Sequence, residues 1–301
     1  MAPVYKIAIV QLYPKPLDAE GNHTRAVSFI RQAAAQGCDL AVLPEYHLTN
    51  WVPEDPNFGS VCATYKKYRD SYCALAKELN ICIVPGTIVE KREDGKLLNI
   101  AYFISKDGSI LGHYQKKNLW LPERLHLTGS EHAPHEVIDT PIGKVGMLVC
   151  WDLAFPEAFR QLIAAGAKTI IIPSFWTLDD CIPAGLKLNP RSEALFLESA
   201  LVSRAYENTC MVVFANAGGP VGKPSGGNYA GLSQVTIPFV GALGKLGDEE
   251  GMSVVEVDMQ VVEDAEENYK VREDIAREGW HYSYSLAENR EPVSGKENNK
   301  V

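Results

Sequence analysis

The stretch "KVGMLVCWDLAFPE" (residues 144–157) runs apolar up to Val149, stops at Cys150, and resumes toward Pro156 and Glu157. The apolar run reads as a buried strand. Pro-Glu reads as the first turn of a helix, where proline's missing N–H costs nothing. A thiol therefore stands at a strand-to-helix junction. A free cysteine is often only a small buried hydrophobe. At such a junction, however, a side chain can be exposed beside backbone N–H groups, which suits a nucleophile.

The same alternation extends in both directions. "KIAIVQL" (6–12) reads as a strand, and "NHTRAVSFIRQAAAQG" (22–37) as a helix with Gly37 at its C-terminal cap. "CDLAVLPE" (38–45) is a short buried strand ending at Glu45, and residues 60–79 carry a helical pattern stopped by Asn80. "ICIVPGTIVEKR" and "LLNIAYFIS" flank the hairpin signal "EDGK", and "KDGSILGHYQKK" repeats the turn-then-strand pattern. "EVIDTPIGKVGMLVC" is a strand pair around "PIG". Beyond the opening stretch come a helix over 156–167, the strand "KTIIIPSF", a helix over 191–208, and the strand "CMVVFANA". A Gly-rich loop (218–231) and the strands "SQVTIPFVG" and "MSVVEVDMQ" follow. Hairpins mixed with strand–helix alternation predict α/β (α+β) architecture with mixed sheets covered by helices. Residues 1–283 read as one domain and the polar residues 284–301 as a loose tail.

Composition narrows the function classes. The chain has 301 residues, 46% hydrophobic and 22% charged, ordinary for a soluble globular protein. A net charge of -9 without a basic stripe argues against nucleic acid as a partner. No apolar run approaches membrane-spanning length, and the apolar part of the first residues is too short for a signal peptide. A cytoplasmic protein is the expectation. The seven cysteines are scattered and form no CxxC pair, which fits reduced thiols and not a disulfide framework or a zinc site. His126, His132 and His135 share a Gly- and Pro-containing loop, which reads as a polar loop and not as a metal site. The glycines of 218–231 lack the ordered Gly-Lys-Ser/Thr of a phosphate loop. No cofactor is expected.

Three reactive side chains end apolar strands: Glu45 in "LAVLPE", Lys116 in "ILGHYQK" and Cys150 in "VGMLVC". In α/β folds such ends commonly converge on one crevice. Singly, each has an ordinary reading: a loop carboxylate, a surface lysine beside Lys117, a core thiol. Jointly they make chemical sense. The thiolate is the nucleophile, a carboxylate can take its proton, and an ammonium favours the thiolate and a developing oxyanion.

"LAVLPEYHLTNW", "GHYQKKNLWLPER" and "VGMLVCWDLAFPE" together resemble the motifs of the nitrilase superfamily of carbon–nitrogen hydrolases. Asn99, "IIPSFW", "SRAYENTCMVVFAN" and "GLSQVTIPFVG" agree, so the resemblance covers nearly all of residues 5–260. Leu119 sets the family spacing and selects Lys116 over Lys117. Gln115 stands where the family usually has Arg. The resemblance implies a four-layer α-β-β-α sandwich with two sheets face to face. It also implies stacked homodimers or larger even assemblies, and a supporting glutamate at Glu123. Surface pairing of Glu123 with Arg124 or Lys117 is the ordinary alternative.

The implied reaction is thiol amidohydrolysis of a small amide or N-carbamoyl compound. Cys150 is the nucleophile, Glu45 the base, and Lys116 with the backbone N–H of Trp151 the oxyanion donors. Asp152 resembles the amidase and carbamoyl-hydrolase branches, which leaves a nitrile-hydrolysing enzyme as the runner-up. A non-catalytic binding or scaffold protein of the same fold is the rival class. Tyr46, Trp120, Trp151, Phe155 and Trp176 lie close in sequence to the strand ends and are candidates for an aromatic-walled pocket, or for core. Leu201 is expected on an outward, partner-facing side of the helix over 191–208.

Overall fold

The computed structural model describes residues 2–222 and 228–280. The tail over 284–301 and part of the Gly-rich loop lie outside the described residues. Six strands come first: β1 (Val4–Gln11), β2 (Leu40–Val42), β3 (Cys82–Val84), β4 (Thr87–Lys91), β5 (Leu97–Ile104) and β6 (Ile110–Gln115). Six more follow: β7 (Val137–Thr140), β8 (Gly143–Met147), β9 (Thr169–Ser174), β10 (Met211–Asn216), β11 (Gln234–Ile237) and β12 (Gly241–Leu243). The last is β13 (Gly251–Asp258). One sheet runs β13-β1-β2-β3-β5-β4 with β6 on β5, and the other β12-β11-β10-β9-β8-β7. Each has three parallel strands, β1-β2-β3 or β8-β9-β10, flanked by antiparallel ones. Parallel neighbours need a crossover, and helices supply it.

Those helices are α1 (Ala19–Ala35), α2 (Phe58–Cys62), α3 (Tyr65–Leu79), α4 (Pro156–Ala164), α5 (Pro183–Leu188) and α6 (Ser192–Glu207). Two more, α7 (Gln260–Tyr269) and α8 (Val271–Ala276), follow β13. Strand period decides which side each residue faces. Ile7 and Ile9 of β1 join the core between the sheets, together with Val145 and Met147 of β8. Ala8 and Val10 join a second core with Ile30 of α1 and Tyr72 of α3. Phe159 of α4 and Leu197 of α6 pack on the other sheet. The result is the four-layer α-β-β-α sandwich.

The expected elements differ in detail. The helix read over 60–79 is two helices broken at Ala63 and Thr64, and it ends where Asn80 adopts φ +53°. The α4 and α6 helices are shorter than 156–167 and 191–208. "SQVTIPFVG" folds back as β11 and β12. Leu201 corrects an expectation: it is fully buried, on the face of α6 that also carries Ala194, Leu197 and Ala205. These residues recur at helical spacing, so that face belongs to the sheet. The outward residues are Leu195, 58% exposed, and Val202, 36% exposed.

Candidate active site

Cys150 follows β8 after two residues and opens a 3-10 turn, Cys150–Ala154, that leads into α4. Its φ is +47°, strained for a residue with a Cβ. Such strain persists only where surroundings enforce it, and Asp152 does so here. One of its carboxylate oxygens accepts the Val149 N–H at 2.9 Å and the Tyr114 hydroxyl at 2.9 Å. The other accepts the backbone N–H and side-chain amide of Asn118 at 3.0 and 2.8 Å. The Cys150 thiol points toward the Phe175 carbonyl, Sγ to O 3.7 Å. The Trp151 N–H lies in the first turn of this 3-10 helix, where N–H groups lack intrahelical acceptors.

Glu45 reaches the same point from the other sheet, just beyond β2. Its backbone N–H donates to the Ser174 carbonyl at the end of β9, which ties the two sheets together there. Gly86 lets the β3–β4 connection pass beneath: at φ +66°, an added Cβ would stand 1.8 Å from the Pro44 carbonyl oxygen. The Glu45 carboxylate accepts from Lys116 Nζ at 2.9 Å, Asn99 Nδ2 at 2.7 Å and the Phe175 N–H at 3.0 Å. Lys116, one residue past β6, also donates to Glu123 Oε1 at 2.7 Å. Glu123 further accepts the Tyr46 hydroxyl and the Trp120 N–H. Lys116 is fully buried, whereas Lys117 is half-buried and donates to the Ala133 carbonyl. Glu123 is therefore an interior partner of Lys116.

Two carboxyls share one ammonium in this buried site, and that shapes its acidity. Burial pushes the Glu45 carboxyl up to about 7, with Glu123 adding to the rise and Lys116 and the Cys150 thiol opposing it. Burial would strip the Lys116 proton, but Glu45 and Glu123 outweigh it and hold the ammonium well above the ordinary lysine range. Burial, then the charge of Glu45, raises the Cys150 thiol well above its usual value despite Lys116. Cys150 thus rests as a thiol near a carboxyl poised near neutrality, a pairing suited to proton transfer at neutral pH.

A cavity of about 160 Å³ opens onto Cys150, lined by Tyr46, Trp51, Trp120, Pro122, Glu123, Trp151, Phe175, Trp176 and Asp180. Tyr46 stacks on Trp51 at 4.8 Å, and Trp120 and Trp176 pack against Trp151 at 4.5 and 5.7 Å. Tyr46, Trp120, Trp151 and Trp176 are thus brought together. Phe155 is not among the lining residues: its ring packs edge-on to Trp151 and borders a separate depression beside Lys117. Sequence reading missed Trp51, Phe175 and Asp180. Trp51 and Phe175 were within the quoted motifs, but only folding shows which aromatics face the cavity. Asp180 sits in a short 3-10 turn, with burial pushing its carboxyl up to about 6. His135 is buried and stacked on Tyr114, and His126 lies 3.1 Å from Glu54. Among the described residues no group of three His, Cys, Asp or Glu is placed to hold a metal ion, and no helix is long and apolar enough to cross a membrane.

Comparison with known proteins agrees with this geometry. The profile of the family described as carbon-nitrogen hydrolase matches residues 6–267. The 2-oxoglutaramate amidase of Bacillus subtilis (strain 168) is 27% identical over 88% of this chain and 94% of its own. The crystal structure of a carbon-nitrogen hydrolase from Helicobacter pylori G27 superposes with a TM-score of 0.79 at 25% identity, covering 90% of this chain and 94% of that one. A mutant amidase from Nesterenkonia sp. AN1 shows the result of Michael addition of acrylamide at its active-site cysteine. It matches with a TM-score of 0.71 and 26% identity over 88% of this chain and 98% of that one. The chain belongs to the carbon-nitrogen hydrolase family, as a hydrolase of carbon–nitrogen bonds other than peptide bonds.

Proposed function

We propose that the protein is a thiol amidohydrolase of small amide or N-carbamoyl compounds, with Cys150, Glu45 and Lys116 as its catalytic residues. The observation that carries this reading is the convergence of the three side chains on Phe175: Glu45 accepts from Lys116 Nζ and from the Phe175 N–H, and the Cys150 thiol points to the carbonyl of the same Phe175. In the first half-reaction Glu45 takes the thiol proton as Sγ attacks the carbonyl carbon. The carbonyl π electrons move to oxygen, and the oxyanion is held by the Lys116 ammonium and the Trp151 N–H. Collapse re-forms the C=O and breaks the C–N bond, and Glu45 gives its proton to the departing ammonia or amine. A thioester remains. Glu45 then deprotonates water, hydroxide attacks the thioester, and the acid leaves as the thiol regains its proton. Glu123 is a positioning residue that holds Lys116. The cysteine addition in the Nesterenkonia amidase supports a nucleophilic thiol in that relative, though the bond there forms by conjugate addition and not by acyl transfer.

The test is ammonia release from a panel of small amides by wild type and Cys150→Ala. The variant is expected to lose about a thousandfold or more in kcat/KM while its melting temperature stays within a few degrees. Wild-type turnover by Cys150→Ala would overturn the mechanism. The reading extends to a homodimer built on the outward side of α6, with one domain spanning 1–283, and to the cytoplasm, whose reducing conditions suit the free cysteines.

A further inference from the structure

The cavity that opens onto Cys150 has an unusual charge distribution for a site meant to take an acid. Among the described residues its lining contains no lysine, arginine or histidine. The cation beneath it, Lys116, is fully buried and already shared by Glu45 and Glu123. The lining residue Asp180, in contrast, is a carboxylate without a cationic partner among the described residues. One of its oxygens accepts the Thr177 N–H at 2.8 Å. Among the described residues the charged groups that act most on it are Glu193 of α6 and Asp179, both acidic. Glu193 is fixed in place by the Trp176 indole N–H at 2.8 Å. Among the described residues an incoming carboxylate would meet Asp180 in the lining and no free cation. An incoming amine would meet a carboxylate in a low-dielectric setting, flanked by aromatic walls that also attract cations.

Size adds a second constraint. A cavity of about 150 Å³ lined by apolar side chains is large enough to take up benzene. The space here is close to that, with Trp51, Trp120, Trp151 and Trp176 among its walls. It suits a short apolar body between the scissile carbonyl at Cys150 and a charged end at Asp180.

Resting on the reading of Cys150 as the nucleophile, we propose that the substrates are small amides with an apolar body and a cationic amine at the end remote from the scissile bond. Asp180 is the specificity-determining carboxylate for that amine, and amides ending in a carboxylate are rejected.

Three probes share a four-methylene body and differ only at the far end: δ-aminovaleramide, hexanamide and adipamate. Ammonia release is expected to rank them amine, then methyl, then carboxylate. Asp180→Asn retains an oxygen to accept the Thr177 N–H but removes the charge. It is expected to lower the amine-to-methyl ratio of kcat/KM about tenfold. Asp180→Lys is expected to invert the order of the amine and carboxylate probes. A wild-type preference for adipamate, or an amine-to-methyl ratio unmoved in both variants, overturns the inference while leaving amide hydrolysis standing. Release of no ammonia from any probe, with nitriles and carbamoyl compounds equally inert, would instead overturn the underlying reading of the site.

Discussion

At the residue scale, the proposed mechanism makes Glu45 the group that sets the working pH. Ionised, it takes the thiol proton; protonated, it cannot. Burial raises its pKa to about 7, so the active form is lost as pH falls through that value. The expected outcome is a kcat/KM profile with an acid limb near pH 7, dropping about tenfold for each further pH unit. A profile flat down to about pH 5 would remove Glu45 from the role of base. The direction follows from the environment. An exposed glutamate would be fully ionised well below neutrality and a weaker base. Lys116 alone would also keep Glu45 ionised. The second carboxylate, Glu123, competes for the same ammonium and helps leave Glu45 poised.

At the element scale, the elbow depends on Asp152. It is fully buried, has no ion-pair partner among the described residues, and accepts four hydrogen bonds from three places: Val149 ahead of the thiol, Tyr114 on β6, and Asn118 beyond Lys116. It therefore locks the strand-to-helix turn of one sheet onto the loop that carries the lysine of the other. Burial raises its carboxyl, and the donated bonds oppose that. Asp152→Asn places an amide N–H₂ against donors and leaves at least one of them unsatisfied. A loss of about 1–3 kcal/mol per orphaned group is expected, with a fall in kcat larger than the rise in KM. Chemical denaturation and steady-state kinetics measure the two. An Asp152→Asn enzyme with wild-type stability and turnover would show that the elbow holds itself.

At the scale of the whole molecule, the two sheets resemble each other in plan. Each has three parallel strands with helical crossovers, and Glu45 and Cys150 lie just past the ends of β2 and β8. Packing the sheets face to face brings one residue from each to a single point. The outward side of α6 keeps Leu195 and Val202 in solvent, and Ile182 and Leu188 nearby in sequence are 70% and 89% exposed. Apolar side chains of this exposure fit a subunit contact. Light scattering of the purified protein is expected to give at least twice the 33.1 kDa chain mass. Leu195→Arg is expected to shift it toward monomer. A wild-type mass near one chain at micromolar concentration would sink the dimer.

The sequence by itself determined the alternation of strands and helices and marked the candidate reactive residues. Period-2 and helical spacing are local properties, so the α/β alternation and most strands were legible. Reactive side chains ending apolar runs marked Glu45, Lys116 and Cys150 as candidates before any contact was known. The charged helices α7 and α8 were not legible, because their apolar residues are too sparse to give a clear period. Only tertiary structure decided which way each aromatic faces. Trp51 and Phe175 reach the cavity while Phe155 borders a separate depression, and no local pattern separates them. The same holds for Leu201. Its composition allowed either face of α6, and only packing against the sheet settled that it is core while Leu195 and Val202 look outward. Asp180 is the sharpest case. In sequence it is one of two adjacent aspartates in a turn, and its meaning arises only from the cavity wall it occupies and from the absence of a cationic partner among the described residues around it.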